Sequence, residues 1–376
     1  MIESKTPINR IIIVGNGFDL SLGLKTSYAD FLHWYVKETF IKNIQNRTFD
    51  FETIFHTVKA KRDDFTGQIR LHPNLHSKLE ENLSWDALVE TIDRSFNLES
   101  KNNFAATIAD NVSQFGWVDI EDCFFSELEL IFNRQQNVKD GAGTDLYRSA
   151  FQGINNTLND IKIELDSYIH KIETEFKYVN KQLDIYHQLI KRLLEHNLEE
   201  KEITYLILNF NYTKTFETIL QGHADVIGIS TNELKFINIH GSAKDLQNPI
   251  VFGYGDDTSE VYKSMENHRN NEIRKHIKSF YYPNTDNYSQ LLGYLESGKF
   301  EVHIIGHSCG VSDKTLLNTI FEHDDCLNIK NYHQGSLDED FNKRLNISRH
   351  FSDKQKMRER IANYDSNAII PQIQAE

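Results

Sequence analysis

The run Ile11–Val14, IIIV, ends in Gly15-Asn16-Gly17 and passes into an amphipathic segment. Four consecutive β-branched residues have no polar face, so a strand made of them must be covered on both sides, as in a parallel sheet. The glycines then predict a turn too tight for side chains. A strand, a glycine loop and a helix form a unit that often holds a phosphate. The dinucleotide fingerprint would place a third glycine at position 20, where this chain has Leu20. Asp19 puts a carboxylate where a phosphate would be expected to sit.

The opening strand needs partners, and the last part of the chain offers them. From about residue 203, ITYLILNF, LKFINIHG, PIVFGYG, FEVHIIGHS and CLNIKNYH are short apolar runs that end in or near polar or glycine residues. Between them KTFETILQG and VSDKTLLNTIFEH read as helices. This alternation predicts an α/β fold with a mostly parallel, Rossmann-like sheet. Residues 45–202 read as mostly helical, most clearly LNDIKIELDSYIHKIETEFKYVNKQLDIYHQLIKRLLEHN, which is either one very long helix or a helical hairpin. The expected organisation is therefore an α/β domain built from 1–44 and 203–376, with 45–202 as a large helical insertion. In the first helix, Phe31, Trp34 and Tyr35 share an apolar face and are read as core.

Bulk properties narrow the function classes. The chain has 376 residues and a net charge of −14, which argues against a broad nucleic-acid footprint. No run approaches the roughly 20 apolar residues that span a bilayer, and MIESKTPINR has no apolar signal core. Cys123, Cys309 and Cys326 are widely spaced and form no CxxC pair. That usage fits reduced thiols in a cytoplasm, and no His/Cys cluster calls for a metal.

Sheets of this kind bind ligands at the carboxyl ends of their strands. Four further motifs follow predicted strands. Asn209-Phe210-Asn211-Tyr212-Thr213 offers amides that can grip a carboxamide or a ribose without adding charge, or can cap the next helix. His240-Gly241 is a candidate base or a buried, satisfied histidine. FGYGDD is the third. Gly306-His307-Ser308-Cys309-Gly310 matches the G-x-S-x-G nucleophile elbow, with His333 or His350 and a preceding aspartate as the remaining members of a serine triad.

The series GNGFDLSLGLKTSYADF, LNFNYTKTFE, INIHG, VFGYGDD and IIGHSCGVSD resembles the AbiH family of phage abortive-infection proteins. More distantly, the same order is similar to SIR2-like NAD-cleaving defence proteins. Their pattern has serine where Asp19 stands, aspartate where Thr213 stands, proline at Lys25 and the late aspartate at Val311, with Asp313 two residues on. The resemblance implies a SIR2-like fold and an anti-phage effector that hydrolyses NAD at the nicotinamide–ribose bond. NAD is then a substrate, and no cofactor is required. It carries Asn211 and His240 onto the positions of the chemistry, with Asp19 expected at ribose hydroxyls or at the developing cation. Gly15, Asn16, Gly17, Phe18, Ser27, Asn209, Tyr212, Gly241, Gly306, His307, Ser308 and Asp313 are implied as nucleotide contacts, the backbone N–H groups of Gly15–Phe18 facing the pyrophosphate. The Trp-x-x-x-Glu pattern of such sequences fits Trp117 and Glu121, either as packing or as a pocket roof.

Two other classes stay open at this point. One is a nucleotide-binding sensor that does not cleave, with the helical zone contacting a partner. The other is a serine hydrolase acting through Ser308. Silence in healthy cells requires control, which implies a phage-derived trigger or a partner defence protein.

Overall fold

A computed structural model describes residues 8–116, 118–137, 144–176, 180–194, 203–227, 233–256 and 259–373. In chain order the elements are β1 (Asn9–Val14), α1 (Asn16–Ser21), α2 (Tyr28–Gln45), β2 (Asp50–Glu52), β3 (His56–Ala60), α3 (Leu75–Glu80), α4 (Trp85–Asp93), β4 (Phe96–Ser100), α5 (Asn103–Phe115) and α6 (Ile120–Gln136). There follow α7 (Thr144–Glu175), α8 (Asn180–Leu194), β5 (Tyr205–Asn209), α9 (Thr215–Ile227), β6 (Leu234–Asn238), α10 (Glu260–Glu266) and α11 (Asn287–Leu295). The chain closes with β7 (Phe300–Ile305), α12 (Lys314–Phe321), β8 (Cys326–Tyr332), α13 (Leu337–Ser348) and α14 (Lys354–Arg360).

The chain forms two compact units: residues 1–26, 166–263 and 277–376 in one, and 27–165 with 264–276 in the other. The first contains a five-stranded sheet in the order β6-β5-β1-β7-β8. Every pair in it is parallel. The IIIV run is its central strand. Ile11 and Ile13 enter one hydrophobic core and Ile12 and Val14 enter the other, so both faces are covered as its composition demands. The chain steps outward from β1 to β5 and β6, then returns to the far side of β1 for β7 and β8. The topological switch point therefore lies between β1 and β7, where such sheets open a ligand crevice. The sequence expectation of an α/β, Rossmann-like fold holds. PIVFGYG differs, since 250–254 form no strand and only a Tyr254–Ile277 bridge.

The boundaries of the units differ from the 44/45 and 202/203 divisions drawn from sequence, and packing explains why. Phe40 of α2 sits in one core with Val58 and Phe96, so α2 counts with the second unit. Tyr186, Leu189, Ile190 and Leu193 of α8 enter the core of the parallel sheet, so α8 counts with the first. The second unit also carries an antiparallel sheet, β2-β3-β4, inside a zone read as helical. Its strands are three to five residues long and carry several polar side chains, which gives little period-two signal. In the first helix Phe31 and Tyr35 are buried and Trp34 is half-buried. Glu121 is buried in α6, and Trp117 lies outside the described residues.

Candidate functional site at the carboxyl ends of the strands

The loops after β1 and β7 are packed directly on each other. Gly15 N–H donates to the Ile305 carbonyl at 2.9 Å and Gly17 N–H to that of Gly306 at 2.8 Å. Phe18 N–H donates to Gly15 at 2.9 Å. A Cβ at Gly15 would overlap the His307 backbone, and one at Gly17 would stand 2.7 Å from the Gly306 carbonyl oxygen. The glycines here let two strand-end loops touch. The amides of Gly15, Gly17 and Phe18 are spent inside the protein, so the expected cradle for a pyrophosphate is not built from them. α1 is a single short helix of six residues. Asn16 is exposed and bonds the Thr26 carbonyl and hydroxyl. The Phe18 ring is core, packed edge-on against Tyr186 and Phe216.

Asp19 is fully buried. One carboxylate oxygen accepts from Thr213 Oγ1 at 2.6 Å and the other from Thr215 Oγ1. Burial pushes its pKa up to about 6, with the Thr213 and Thr215 hydroxyls pulling the other way. The acid in the glycine loop thus ties α1 to the loop before α9. It is not a helix cap, because α1 has no side-chain cap hydrogen bond.

After β5, Asn209 braces its own loop. Its Nδ2 donates to the Thr213 carbonyl at 2.7 Å and to Asn238 Oδ1 at 2.8 Å, and its Oδ1 accepts from the Asn211 N–H at 3.0 Å. Asn211 Nδ2 is buried and completes no hydrogen bond, and neither does Ser242 Oγ after β6. The Tyr212 hydroxyl reaches the Val251 carbonyl at 3.4 Å, and Gly241 closes the β6 turn on Asn238.

Asp313 gathers the rest. His240 Nε2 stands 3.4 Å from its Oδ1 without hydrogen-bonding geometry. Lys278 Nζ bonds the same oxygen at 2.8 Å, and His307 Nε2 lies 3.4 Å from Oδ2. Phe210 lies edge-on between the imidazoles, 5.0 Å from His240 and 4.3 Å from His307. Burial opposes ionisation of Asp313, yet the Lys278 charge and the histidines hold its pKa well below the usual carboxylate range. Burial and then the Lys278 charge push His240 down to about 3, so its ring is neutral. Burial lowers and Asp313 raises the pKa of His307, and the net direction is up. Its Nδ1 accepts the Cys309 N–H at 3.0 Å, so the neutral ring carries its proton on Nε2, facing Asp313. A second proton would break that bond, which opposes the upward shift.

Lys278 was not singled out in the sequence. The FGYGD motif explains its position: Lys278 N–H donates to the Tyr254 carbonyl at 2.8 Å, and Thr315 N–H to that of Gly255 at 3.0 Å. Beside them Lys314 pairs with Asp256 at 3.1 Å. A glycine at 255 lets this segment approach the Ser312 carbonyl closely. Nothing local in KSFYY marks the lysine, because its meaning depends on a carboxylate 35 residues away.

Ser27 belongs to the second unit, where it forms a capping box with Asp30 at the start of α2. Ser308 is exposed, and its carbonyl accepts from Asn346 Nδ2 at 3.2 Å. His333 Nδ1 accepts the Gly335 N–H and its Nε2 lies 3.0 Å from the Asp365 carbonyl, while His350 Nε2 is 2.9 Å from that of Cys309. The non-glycine residue of the elbow with a left-handed backbone is Cys309, φ 54°, not Ser308. Both histidines that could complete a serine triad are held at backbone groups. Among the described residues no group of three or more His, Cys, Asp or Glu side chains is placed to hold a metal ion. None of their helices is long and apolar enough to cross a membrane.

A five-stranded parallel sheet with glycine-packed loops and a buried His–Asp–Lys–His cluster at its carboxyl edge defines an α/β protein of Rossmann-like architecture. Residues 11–332 match the family model described as bacteriophage abortive infection AbiH. The chain belongs to that family, and abortive infection of phage is its role. No curated protein matches it significantly.

Proposed function

We propose that the carboxyl-edge cluster is the working site of the abortive-infection role, and that it hydrolyses the nicotinamide–ribose bond of NAD. The observation that carries this reading is the convergence of His240, in the turn after β6, with Asp313, His307 and Lys278. In the adjoining loops, Ser242 Oγ is a buried polar atom with no hydrogen bond, and the buried Asn211 Nδ2 acts on Asp19 without full hydrogen-bond geometry. Such atoms cost free energy unless a ligand satisfies them. Both can serve ribose hydroxyls or an amide. In the reaction the C–N bond breaks with its electron pair leaving on nicotinamide. Water oxygen bonds to the ribose carbon, and one water proton passes to a base. The leaving group is already cationic, so the demands are on positioning water and on stabilising the oxocarbenium-like state. His240, neutral and beside Asp313, is the base, and Asn211 positions.

The low proton affinity of His240 supports a second reading, a nucleotide sensor that binds without cleaving. Incubation of the pure protein with NAD, with and without lysate from infected cells, separates the two by release of nicotinamide. Under the first reading His240→Ala and Asn211→Ala each reduce turnover about 100-fold or more. Ser308→Ala has a modest effect, worth about 1 kcal/mol at most. Binding with no nicotinamide in either condition favours the sensor. Ester hydrolysis abolished by Ser308→Ala, with no NAD turnover, overturns both.

A further inference from the structure

A polar cavity lies on one face of the parallel sheet, away from the carboxyl-edge cluster. Its volume is about 510 Å³, and Arg10, Arg192, Glu301, His303, Lys330 and Asp365 are among the residues that line it. Both faces of a parallel sheet are normally apolar. Here Arg10 of β1 stands in register with Glu301 of β7, and His303 of β7 with Lys330 of β8. Polar side chains on an otherwise apolar face are the informative observation.

The charges are unequal. Arg10 Nε bonds Glu301 Oε1 at 2.6 Å and its Nη1 bonds the Leu193 carbonyl at 2.5 Å. Lys330 Nζ pairs with Asp365 at 2.8 Å. Arg192 of α8 has no hydrogen-bond or ion-pair partner among the described residues, and it lines the same space. Three cations thus face two carboxylates in a protein of net charge −14. An unpaired guanidinium is suited to a phosphate, and Asn328 and Asn367 add amide donors. Glu301 and Asp365 keep acceptor capacity for hydroxyl groups. A flat base would need an apolar slot. The aromatic ring present, Tyr332, is buried, with Lys330 Nζ 5.5 Å from its centroid and the His303 ring 5.7 Å away.

We propose that this cavity binds a sugar phosphate, its phosphate at Arg192 and its hydroxyls at Glu301 and Asp365. The site is separate from the carboxyl-edge cluster and does not depend on the reading of that cluster as an NAD hydrolase. Calorimetric titration of the full chain with ribose 5-phosphate, ribose, inorganic phosphate and adenosine monophosphate tests it. Ribose 5-phosphate should bind at least about 10-fold more tightly than ribose or inorganic phosphate, the equivalent of one charge-assisted hydrogen bond. Arg192→Gln should weaken it about 10-fold. Arg192 is exposed, so the fold survives its replacement. Asn367→Ala, also at an exposed residue, should weaken binding by a smaller factor. His240→Ala should leave the affinity unchanged. Equal binding of inorganic phosphate, tighter binding of the nucleotide that Arg192→Gln weakens, or loss of ribose 5-phosphate binding in His240→Ala would overturn the proposal. So would unchanged affinity in both Arg192→Gln and Asn367→Ala.

Discussion

Two buried aspartates in the same sheet edge behave in opposite ways, and their neighbours are the reason. Asp313 faces a lysine and two imidazoles, so its charge is held; Asp19 has only neutral donors in the Thr213 and Thr215 hydroxyls and the Asn211 amide, with the like charge of Glu173 acting against it, so burial pushes its pKa up to about 6. Asp313→Asn takes the carboxylate from Lys278, which is almost wholly buried. Breaking a buried pair in this way costs about 3–5 kcal/mol. Lys278→Met in the same background should recover much of that cost, measured as urea midpoints of the single and double variants. A loss below about 1 kcal/mol in Asp313→Asn would mean the pair is not the anchor drawn here. For Asp19 the sign is reversed. Its folded pKa lies above the unfolded value, so the native state holds more protons between about pH 4 and pH 6, and stability falls as pH rises through that window. At neutral pH the buried charge costs about 3 kcal/mol. Asp19→Asn should flatten the fall and stabilise the protein at pH 7, since each threonine hydroxyl can donate or accept. Equal slopes in the two pH–stability curves would show that Asp19 stays ionised across the window.

The loops behave as one element made from two distant pieces of chain. Gly306, φ +64°, would carry its Cβ into the Gly17–Phe18 backbone. Gly306→Ala therefore meets both a backbone clash and an unfavourable φ, and should unfold the protein or lower its melting temperature by ten degrees or more, on the order of several kcal/mol. Gly153, inside α7, is the control, because a Cβ there meets nothing within 4 Å. Gly153→Ala should raise stability by up to about 1 kcal/mol through helix propensity alone. Similar losses in both variants would remove close packing as the cause. The same contrast separates what could be read in the sequence from what could not. IIIV named its own environment, because four β-branched residues permit only a strand covered on both faces, and the β5, β6, β7 and β8 runs were legible in the same way. The glycines of GNG were visible, yet what they approach is another loop and not a phosphate. Backbone packing of that kind leaves no mark on the residues that follow. Asn211, His240, His307 and Asp313 were legible as polar residues after strands. Lys278 and Thr215 were not, because each matters only through a carboxylate far away in the chain.

Among the described strands, the central one precedes all its partners in the chain. β1 pairs on one side with β5, Ile11 opposite Leu206, and on the other with β7, Ile11 opposite Val302. Its first parallel partner in the chain, β5, begins only at Tyr205. The second unit is nearly contiguous, and its sheet pairs neighbours such as Phe51 with Val58. Closing a long loop costs more entropy before any contact rewards it, so distant parallel pairings form late. In refolding from denaturant followed by pulsed hydrogen exchange, the amides of Val58 and Lys59 should gain protection before those of Ile11–Val14 and Leu206–Leu208. Ile11–Val14 and Val302–Ile305 should become protected together, because a strand buried on both faces gains little from one neighbour alone. Protection of Ile11–Val14 ahead of β3 would mean that the apolar run collapses onto a partner other than the native one. The order of assembly would then be set by hydrophobicity and not by the separation of paired strands.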